Sequence, residues 1–430
     1  MRYDTTLAQV RSLVARVLEG PDQDATASGD VITIGTAEGS TLRLTDPGVS
    51  RFHAELRPAA GGIVVRDHGS TNGTFVAGVR LERGIIAAGT VIRVGATSIQ
   101  LGDAAPTQVE VLASEALGGM VGRSPGIRRL MALISKAAPS DASVLINGES
   151  GTGKELVARA LHDLGPRRDR PFVTVDCGAL PAPLLASELF GHERGAFTGA
   201  DRVHIGAFEA AQGGTVFLDE IGELQPTAQA TLLGVLERRR LRRLGSRSEI
   251  AVDVRVVCAT HRDLRSEVNR NSFRLDLYYR LAVITLLLPA LRDRPDDVPL
   301  LVEHFLRDCG WDQPVSKLIS PQAMDALSKL HFAGNVRELR NLVEAAVAMG
   351  EPPQLVSGAP ASPRVKSAPG QLEIDLDLPY KEARGQLTAE FERQYVDALL
   401  ARSDGNISAA ARTAQLTRSH LNELIAKLKK

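Results

Sequence analysis

A glycine-rich segment that joins two regular elements carries the strongest chemical signal in this chain of 430 residues. The segment GESGTGKE, residues 148–155, follows an apolar strand-like run at 144–146 and precedes a helical stretch at 156–162. Backbone N–H groups of such a loop and of the helix N-terminus can cradle phosphates, and Lys154 can reach the β- and γ-phosphates. Glu155 departs from the usual pattern, which has a hydroxyl for Mg²⁺ at that position. A nucleotide site is favoured over a chance glycine-rich turn. The candidate phosphate-binding residues are Gly148, Glu149, Ser150, Gly151, Thr152, Gly153, Lys154 and Glu155.

A pair of carboxylates ends a second apolar run, VFLDE. A strand of that composition delivers Asp219 and Glu220 at its C-terminal end, where Asp219 suits coordination of Mg²⁺ and Glu220 suits polarising the attacking water. Paired acids after a strand are often only solvated surface groups. Because these two acids follow a phosphate-binding lysine in the sequence, a catalytic role is favoured over a solvated surface pair. The two motifs together predict ATP and Mg²⁺ as cofactors, with Asp219 as the metal ligand.

Three further segments are more specific: ELFGHERGAFTGA at 188–200, FRLDLYYRL at 273–281 and AGNVRELRN at 333–341. They resemble the AAA+ domain of sigma-54-dependent activators, the bacterial enhancer-binding proteins, and the first contains the GAFTGA loop of that family letter for letter. The resemblance covers residues 120–350 and implies an ATPase that works as a ring, by resemblance a hexamer. The expected assembly is a homo-oligomer, from dimer to hexamer. The resemblance also implies a partner, the sigma-54 RNA polymerase holoenzyme, whose promoters the ring opens.

The resemblance assigns roles to individual side chains. Arg274 and Arg280 match arginine fingers, which act on the nucleotide of a neighbouring subunit, and Arg337 matches a sensor arginine. His261 stands where a sensor asparagine is usual, and an imidazole can still donate a hydrogen bond to a γ-phosphate. The residues expected to contact sigma-54 are Gly195, Ala196, Phe197, Thr198, Gly199 and Ala200.

Several features of this segment allow more than one interpretation. Phe197 lies between glycines that permit a projecting loop, so it is either an exposed contact for a partner or packed into the core. The two finger arginines could instead belong to surface ion pairs. The basic run RRRLRRLGSR at 238–247 is either a solvated hairpin or a lining of the ring pore. Asp176 replaces an asparagine that restrains the catalytic glutamate in the family; if it faces Glu220, two carboxylates couple and one pKa rises.

Toward the N-terminus, short alternating segments broken by turns fill residues 31–101, which predicts a β-sandwich. Two of them, DPGVSRFHAEL and DHGSTNGTFVAG, resemble the forkhead-associated (FHA) domain, which binds phosphothreonine on its loops. The resemblance implies that His53 is buried and structural, and that the partner is a phosphothreonine protein or a Ser/Thr kinase. Thr36 stands where the family has a phosphate-binding arginine, which puts the affinity in doubt. The implied ligand-contacting residues are Ser50, Arg51, Thr71 and Asn72.

The C-terminal segment NISAAARTAQLTRSHLNELIAKLKK resembles the Fis-type helix-turn-helix. Ser408 and Thr417 can cap its two helices, and the last lysines suit phosphate contacts with upstream activator DNA. A small helical dimerisation unit is the alternative interpretation. The residues expected to read base edges from the first turns of the recognition helix are Arg418, Ser419, His420 and Asn422.

The elements that position these residues follow from the hydrophobic pattern. After residue 121, the apolar runs SVLI, PFVTVD, GTVFLDE and VRVVCAT alternate with helical stretches, as in parallel-sheet α/β domains. A helical tail at 296–349 is expected to form a lid, and residues 103–118 a short linker. We therefore expect a multidomain chain. Its parts are an all-β FHA sandwich at 1–104, an α/β AAA+ P-loop domain with a helical lid at 119–350, a flexible linker at 351–379, and an all-α helix-turn-helix domain at 380–430.

The bulk composition fits this organisation. The 51 basic residues equal the 51 acidic ones, so affinity for nucleic acid has to come from a local basic surface. The three cysteines fit neither a zinc site nor a disulfide framework, and no apolar run is long enough to span a membrane. The expected location is the cytoplasm. The expected function is ATP-dependent activation of sigma-54 polymerase. The alternative is an ATP-dependent DNA-binding repressor or scaffold, and the intact GAFTGA loop favours the activator.

Overall fold

The computed structural model describes residues 3–59, 61–197 and 199–353. The predicted linker beyond residue 353, the helix-turn-helix with Arg418, Ser419, His420 and Asn422, and Thr198 of the GAFTGA loop lie outside the described residues. Within the described residues, no helix combines the length and the apolar character needed to cross a membrane.

The N-terminal part is a β-sandwich, as the alternating pattern predicts. One sheet has six strands in the order β2-β1-β11-β10-β7-β8, and the other has five in the order β4-β3-β5-β6-β9. Inward-facing residues such as Leu13, Ile34, Leu56, Ile92 and Ile99 are almost fully buried between them. The strands are β1 Thr5–Glu19, β2 Thr26–Gly29, β3 Ile32–Gly35, β4 Leu42–Arg43, β5 Ala54–Ala59, β6 Gly62–Asp67, β7 Thr74–Val76, β8 Val79–Leu81, β9 Arg83–Ile86, β10 Val91–Val94 and β11 Thr97–Leu112.

The sandwich extends beyond residues 31–101 at both ends, because β1 and β11 are long strands. The linker prediction is wrong for residues 103–112, because they continue β11 as an antiparallel partner of β1. Leu13, Ala15 and Val17 of β1 are fully buried and alternate with more accessible residues, which is the period of a strand with one face in the core. The polar residues interspersed in both segments hid this pairing, since a strand that passes the edge of its sandwich loses the alternation.

The ATPase part is built on a parallel five-stranded sheet in the order β15-β16-β19-β14-β20. The four apolar runs predicted as strands are confirmed, and a fifth strand occupies part of the apolar run 281–291. Before the sheet come β12 Ala116–Leu117 and β13 Met120–Val121. The later strands are β14 Val144–Asn147, β15 Phe172–Asp176, β16 Thr215–Asp219, β17 Arg240–Leu241, β18 Ile250–Ala251, β19 Arg255–Thr260 and β20 Ile284–Leu287.

Helices cover both faces of this sheet, and three more form the expected lid, which has its own core around Val302, Phe305, Leu339 and Val343. The helices are α1 Pro125–Ala137, α2 Lys154–Asp163, α3 Ala182–Phe190, α4 Ala207–Ala210, α5 Pro226–Arg238, α6 Leu264–Asn269, α7 Leu275–Leu281, α8 Val298–Asp308, α9 Pro321–Lys329 and α10 Asn335–Met349. The order of the sheet matters for chemistry. It places the C-terminal ends of β14, β16 and β19 side by side, so residues far apart in sequence meet there.

Candidate nucleotide-binding site

The glycine-rich loop connects β14 to α2, and two of its glycines adopt a backbone that other residues rarely adopt. Gly151 and Gly153 have φ angles of +76° and +106°. A Cβ atom on Gly151 would lie 2.1 Å from the backbone oxygen of Gly334, so the loop and the lid meet at backbone contact. Thr152 Oγ1 donates to the backbone oxygen of Glu149 at 2.7 Å and closes the turn. The result is a narrow backbone cradle at the N-terminus of a helix, which fits a phosphate group.

Lys154 reaches from this cradle toward the neighbouring strand end. Its side chain is only 7% exposed, and its Nζ donates to the backbone oxygen of Gly148 at 3.1 Å and to Glu220 Oε1 at 3.2 Å. A buried ammonium group needs partners of this kind to offset its lost hydration. The predicted phosphate-binding lysine and the predicted catalytic carboxylate are therefore in direct contact.

Glu220 is held in place by His261. Its backbone is in the left-handed region, with φ at 51°, and its Oε2 accepts hydrogen bonds from His261 Nδ1 at 2.7 Å and from the His261 backbone N–H at 3.2 Å. Burial raises the pKa of Glu220, but the His261 hydrogen bonds and the charge of Lys154 outweigh it and leave that pKa lowered. The carboxylate is thus kept ionised, as a group that polarises water has to be.

Asp176 does not play the part considered for it. Its Oδ1 accepts the backbone N–H of Gly178 at 2.8 Å, whereas Glu220 is paired with Lys154 and His261. The condition for that coupling, a contact between Asp176 and Glu220, is not met, and the carboxyl whose pKa is raised is that of Asp219. Burial raises the pKa of Asp219, and the charges of Glu220 and Asp176 add to it against the hydrogen bond from the Glu220 N–H and the charge of Lys154.

These residues fit a nucleotide with a magnesium ion. Asp219 is a half-buried carboxylate beside the cradle, and a cation there would offset the burial and the neighbouring negative charges that together raise its pKa. Glu155 makes no such contribution, because its carboxylate accepts from Arg159 one turn along the same exposed helix face, at 3.1 Å. Since no residue on α2 replaces the missing hydroxyl, Asp219, phosphate oxygens and water would have to supply the ligands of Mg²⁺.

The lid contributes Arg337, as the resemblance implies. The backbone N–H of Arg337 donates to the Gly151 oxygen at 3.1 Å, and its Nη1 donates to Ser150 Oγ at 3.2 Å. The guanidinium therefore lies over the phosphate-binding loop and stays exposed. A positive group at this position can report whether a nucleotide fills the cradle.

Two further residues at the lid were missed by sequence reasoning. Arg292 forms a paired contact with the carboxylate of Glu149, with one N–O distance of 2.7 Å, and the fully buried Asn335 donates to the same carboxylate at 3.2 Å and to the Ser150 oxygen at 3.0 Å. Hydrogen bonds from Arg292 lower the pKa of Glu149 to about 2. The sequence offered one hint, since an acidic residue is out of place in a phosphate loop unless a cation neutralises it.

Arg274 and Arg280 lie on a different surface. Arg274 precedes α7 and pairs with Asp276 at 2.7 Å, whereas Arg280 Nη2 donates to the backbone oxygen of Leu236 at 3.0 Å. Both side chains are exposed, and within the described part of the chain their hydrogen bonds go to these partners and not to the glycine-rich loop. The contact of Arg274 is the local ion pair of the alternative interpretation, and both guanidinium groups are accessible from solvent.

The loop at 195–200 leaves the body between α3 and α4. Its base is closed by hydrogen bonds from the Gly195 N–H to the Ala200 oxygen at 2.8 Å and from the Ala200 N–H to the Phe197 oxygen at 3.0 Å. Phe197 is half-buried and packs its ring edge-on against His192, at 4.9 Å between centroids. The side chain is thus neither fully exposed nor part of the core. It rests on the base of its own loop, within reach of a partner.

The basic run adopts the hairpin that one interpretation proposed. Strands β17 and β18 pair antiparallel, and Arg243 is anchored to Glu193 at 2.9 Å and to Glu209 at 2.7 Å. Arg240 and Arg242 both lie 3.4 Å from Glu249, in exposed pairs. The hairpin therefore braces the loop at 195–200, because Glu193 lies at its base.

The loops of the sandwich bring the expected ligand-contacting residues together. Ser50 Oγ accepts the backbone N–H of Thr71 at 3.0 Å, and Asn72 Nδ2 donates to the Gly48 oxygen at 2.8 Å, while Arg51 is exposed beside them. His53 is completely buried, as expected. Its Nδ1 accepts the Ser50 N–H at 3.0 Å and its Nε2 donates to the Gly73 oxygen at 3.2 Å, so it ties the two loops to each other.

Taken together, the parallel sheet, the glycine-rich loop, the paired carboxylates and the helical lid define a nucleotide-binding AAA+ domain. Comparisons with known families agree. Residues 120–287 match the sigma-54 interaction domain, residues 292–359 match the AAA+ ATPase lid domain, and residues 32–95 match the FHA domain.

Relatives place the chain more narrowly. It is 46% identical over 322 residues to the transcriptional regulatory protein ZraR of Salmonella typhimurium, covering 74% of this chain and 69% of the relative. It is 49% identical over 239 residues to the Nif-specific regulatory protein of Azorhizobium caulinodans, covering 56% of this chain and 39% of that one. The crystal structure of NtrX from Brucella abortus in complex with ATP is similar, with a TM-score of 0.52, 34% identity, and coverage of 73% and 70% of the two chains.

The chain therefore belongs to the family of sigma-54-dependent transcriptional regulators, with an FHA domain at its N-terminal end. NtrX from Brucella abortus has been solved both with ATP and with ADP, and the ADP complex is similar to this chain with a TM-score of 0.52. Both complexes agree with the nucleotide site described above.

The site predicts different defects for its two central groups. Lys154→Ala removes charge-assisted contacts to the phosphates and should weaken ATP affinity by about ten- to hundredfold. Glu220→Gln keeps the cradle but loses the carboxylate, so it should bind ATP almost normally and hydrolyse it at least ~100-fold more slowly.

Nucleotide titration and steady-state hydrolysis on both variants measure these effects. Glu303→Gln, an exposed residue of α8, is the matched control and should behave as wild type. Normal turnover in Glu220→Gln would show that this carboxylate does not activate the water.

Proposed function

We propose that this protein is an ATP-dependent activator of sigma-54 RNA polymerase. In this account it binds upstream DNA, assembles into a ring, and uses ATP hydrolysis to open promoters, under control of threonine phosphorylation read by the FHA domain. The observation that carries the proposal is the presence, in one domain, of a phosphate loop in contact with the candidate catalytic carboxylate and of the loop at 195–200. A regulator that only binds DNA needs neither.

Hydrolysis would use the groups gathered at the strand ends. Bound ATP supplies the scissile phosphoanhydride and Mg²⁺ neutralises its charge. Lys154 and the N-terminus of α2 would hold the phosphates, and Asp219 would hold the metal. Glu220 would orient and polarise the water. For this, Glu220 has to exchange its hydrogen bond with His261 for one with the water. Before nucleotide binds, His261 would hold the carboxylate away from the water position and keep it ionised.

The conformational change that acts on the polymerase would be transmitted from the nucleotide site to the loop at 195–200 through the hydrophobic core between them. Phe190 ends α3 and Phe208 lies in α4, so these two rings, 6.1 Å apart, flank the loop at 195–200. Both pack into the cluster that contains Val216 and Leu218 of β16, the strand that ends at Asp219. A contiguous packed core thus connects the carboxylates to the loop, which supports coupling between the two.

Phe197→Ala should separate hydrolysis from promoter opening. The ring of Phe197 belongs to the loop and not to the nucleotide site, so ATP turnover should stay within about twofold of wild type while open-complex formation falls at least ~10-fold. ATPase assays and permanganate footprinting on a sigma-54 promoter measure the two activities.

The matched control is Val203→Ala, which removes an exposed apolar side chain from the same segment. Wild-type promoter opening by the Phe197→Ala protein would rule out this loop as the contact with sigma-54.

The exposed arginines support a ring in which each nucleotide site is completed by the next subunit. Arg274 and Arg280 flank α7 with their guanidinium groups accessible, and an arginine that stabilises the charge of a transferring phosphoryl group can contribute about 10³-fold or more to the rate. We assign both residues to that role in trans.

Arg280→Ala alone should hydrolyse ATP poorly, and mixing it with the inactive Lys154→Ala protein should restore part of the activity. In the mixed ring, a Lys154→Ala subunit presents an intact Arg280 to the intact loop of its neighbour. Steady-state hydrolysis across mixing ratios, with ring assembly followed by light scattering, tests this. Absence of any restoration in assembled rings would place Arg280 in a role within its own subunit.

The two end domains would supply location and control. Recognition of upstream DNA by Arg418, Ser419, His420 and Asn422 rests on the resemblance of the C-terminal sequence to a Fis-type helix-turn-helix. Recognition of phosphothreonine by Ser50, Arg51, Thr71 and Asn72 is supported by their convergence on two adjoining loops. A bound phosphate would bring about −1.5 to −2 charges to that surface, where Arg51 is an exposed cation.

Thr36→Arg should tighten phosphothreonine binding. Thr36 adjoins the site, since its N–H donates to the Ser50 oxygen at 3.1 Å, and a guanidinium contact to phosphate is worth about 1.5–3 kcal/mol, or roughly tenfold and more in affinity. Titration with phosphorylated and unphosphorylated threonine peptides measures it, with Asn72→Ala as the variant expected to lose binding. Equal affinity for both peptides, unchanged by Asn72→Ala, would mean that this sandwich docks proteins without reading phosphate.

A further inference from the structure

The loops that gather the ligand-contacting residues of the sandwich also touch the ATPase domain. In the first loop, Arg51 is exposed, and the next residue, Phe52, packs edge-on against Tyr278 of α7 with 5.1 Å between ring centroids. In the second loop, His68 contacts Asp263 at the start of α6, and Thr71 is exposed three residues later. Residues that face solvent and residues that face α6 and α7 thus follow each other within each loop.

Polar contacts hold this seam between the two domains. Asp263 is paired with His68 Nδ1 at 2.5 Å and with Arg66 at 3.2 Å, and Arg265 Nη1 lies 2.9 Å from Glu55 Oε2. Asp263 is mostly buried there. Its burial raises its pKa, but the hydrogen bond and charge of His68 outweigh that effect and bring it to about 2. Charges that are desolvated and paired in this way hold a specific geometry, because separating them leaves uncompensated charge.

Asn269, the last residue of α6, completes the seam. Its Nδ2 donates to the backbone oxygens of Phe52 at 2.6 Å and His68 at 2.9 Å, so one side chain fixes both loops of the sandwich. Backbone carbonyls do not depend on the side chains of either loop. A shift of either loop relative to the other would break one of these two hydrogen bonds.

The seam also includes Tyr279 of α7, which packs near Phe52, the residue that follows Arg51. Tyr279 is 44% exposed and stands 6.2 Å from Phe52 between ring centroids. Burial raises the pKa of its hydroxyl, Tyr278 and Glu38 raise it further, and Arg51 opposes that rise. Tyr279 directly precedes Arg280 in α7 and Phe52 directly follows Arg51, so this aromatic contact joins the two segments that carry these arginines.

We propose that phosphopeptide occupancy of the sandwich is linked to its seating on α6 and α7, so that a threonine-phosphate signal enters the ATPase domain at the segment that carries Arg274 and Arg280. This inference rests on the proposed recognition of phosphothreonine by the sandwich. The contacts named above form a docking surface on the ATPase domain whose partner is the ligand-contacting edge of the same chain's FHA domain. A peptide that moves either loop changes that contact, and by reciprocity the contact changes the affinity for the peptide.

Asn269→Asp in the full chain tests the linkage from the side of the ATPase domain. The substitution keeps the size of the side chain and sets a carboxylate against two carbonyl oxygens, without altering any proposed ligand contact. Arg265→Glu, which places a second acid opposite Glu55, is an independent variant, and Asn271→Asp, an exposed position two residues beyond Asn269, is the matched control.

Two measurements are made on each protein. Hydrogen exchange of residues 66–72 and 263–269 reports whether the seam opens, and fluorescence titration with a degenerate pool of phosphothreonine peptides, against the unphosphorylated pool, reports affinity. We expect faster exchange in both seam variants and a shift of peptide affinity by about fivefold or more, in the same direction in both, with the control unchanged.

Equal peptide affinity in wild type and in variants whose seam has opened would overturn the linkage and leave phosphothreonine recognition standing. Unchanged exchange in both seam variants would overturn the docking surface itself. Failure of the wild-type protein to prefer the phosphorylated pool would instead overturn the proposed recognition of phosphothreonine, and the linkage with it.

Discussion

Lys154, Glu220 and His261 meet where three parallel strands end, and the rest of the site depends on that meeting. The strand order places β14 beside β19 and β19 beside β16, so the lysine that follows one strand, the carboxylate that follows the second and the imidazole that follows the third converge. A buried ammonium group and a half-buried carboxylate are stable there only as partners. Any ligand that draws Lys154 onto a phosphate therefore removes one partner of Glu220 and leaves that carboxylate held by His261, which links nucleotide binding to the surroundings of the candidate catalytic group.

The lid also contacts the phosphate loop, so the second half of the ATPase domain is connected to the nucleotide site. Glu149 of the phosphate loop is neutralised by Arg292 and Asn335, while Arg337 lies above Ser150. The loop is thus enclosed by charge and by the backbone contact between Gly151 and Gly334. The phosphate loop and the lid are therefore connected by contacts of both side chains and backbone.

The sequence predicted what depends on local pattern and failed where distant segments meet. The phosphate loop, the carboxylates after VFLDE and four strands of the parallel sheet follow from spacing and hydrophobicity, and the structure confirms their placement. The coupling considered for Asp176 required a contact with Glu220. The structure instead pairs Asp176 with the Gly178 N–H and Glu220 with His261, a residue after β19 that no local sequence rule connects to Glu220. The β1–β11 pairing and the seam at Asn269 likewise join residues about 100 and 200 positions apart, which periodicity cannot reveal.

We propose that ATP hydrolysis by this protein opens promoters held by sigma-54 polymerase. The most direct test is open-complex formation in vitro, with sigma-54 holoenzyme and with housekeeping holoenzyme on matched templates, in the presence of ATP or of a non-hydrolysable analogue. The account predicts opening only with the sigma-54 enzyme and only with ATP. Opening that proceeds equally with the analogue, or no opening of the sigma-54 promoter by protein that hydrolyses ATP and binds its DNA, would contradict it.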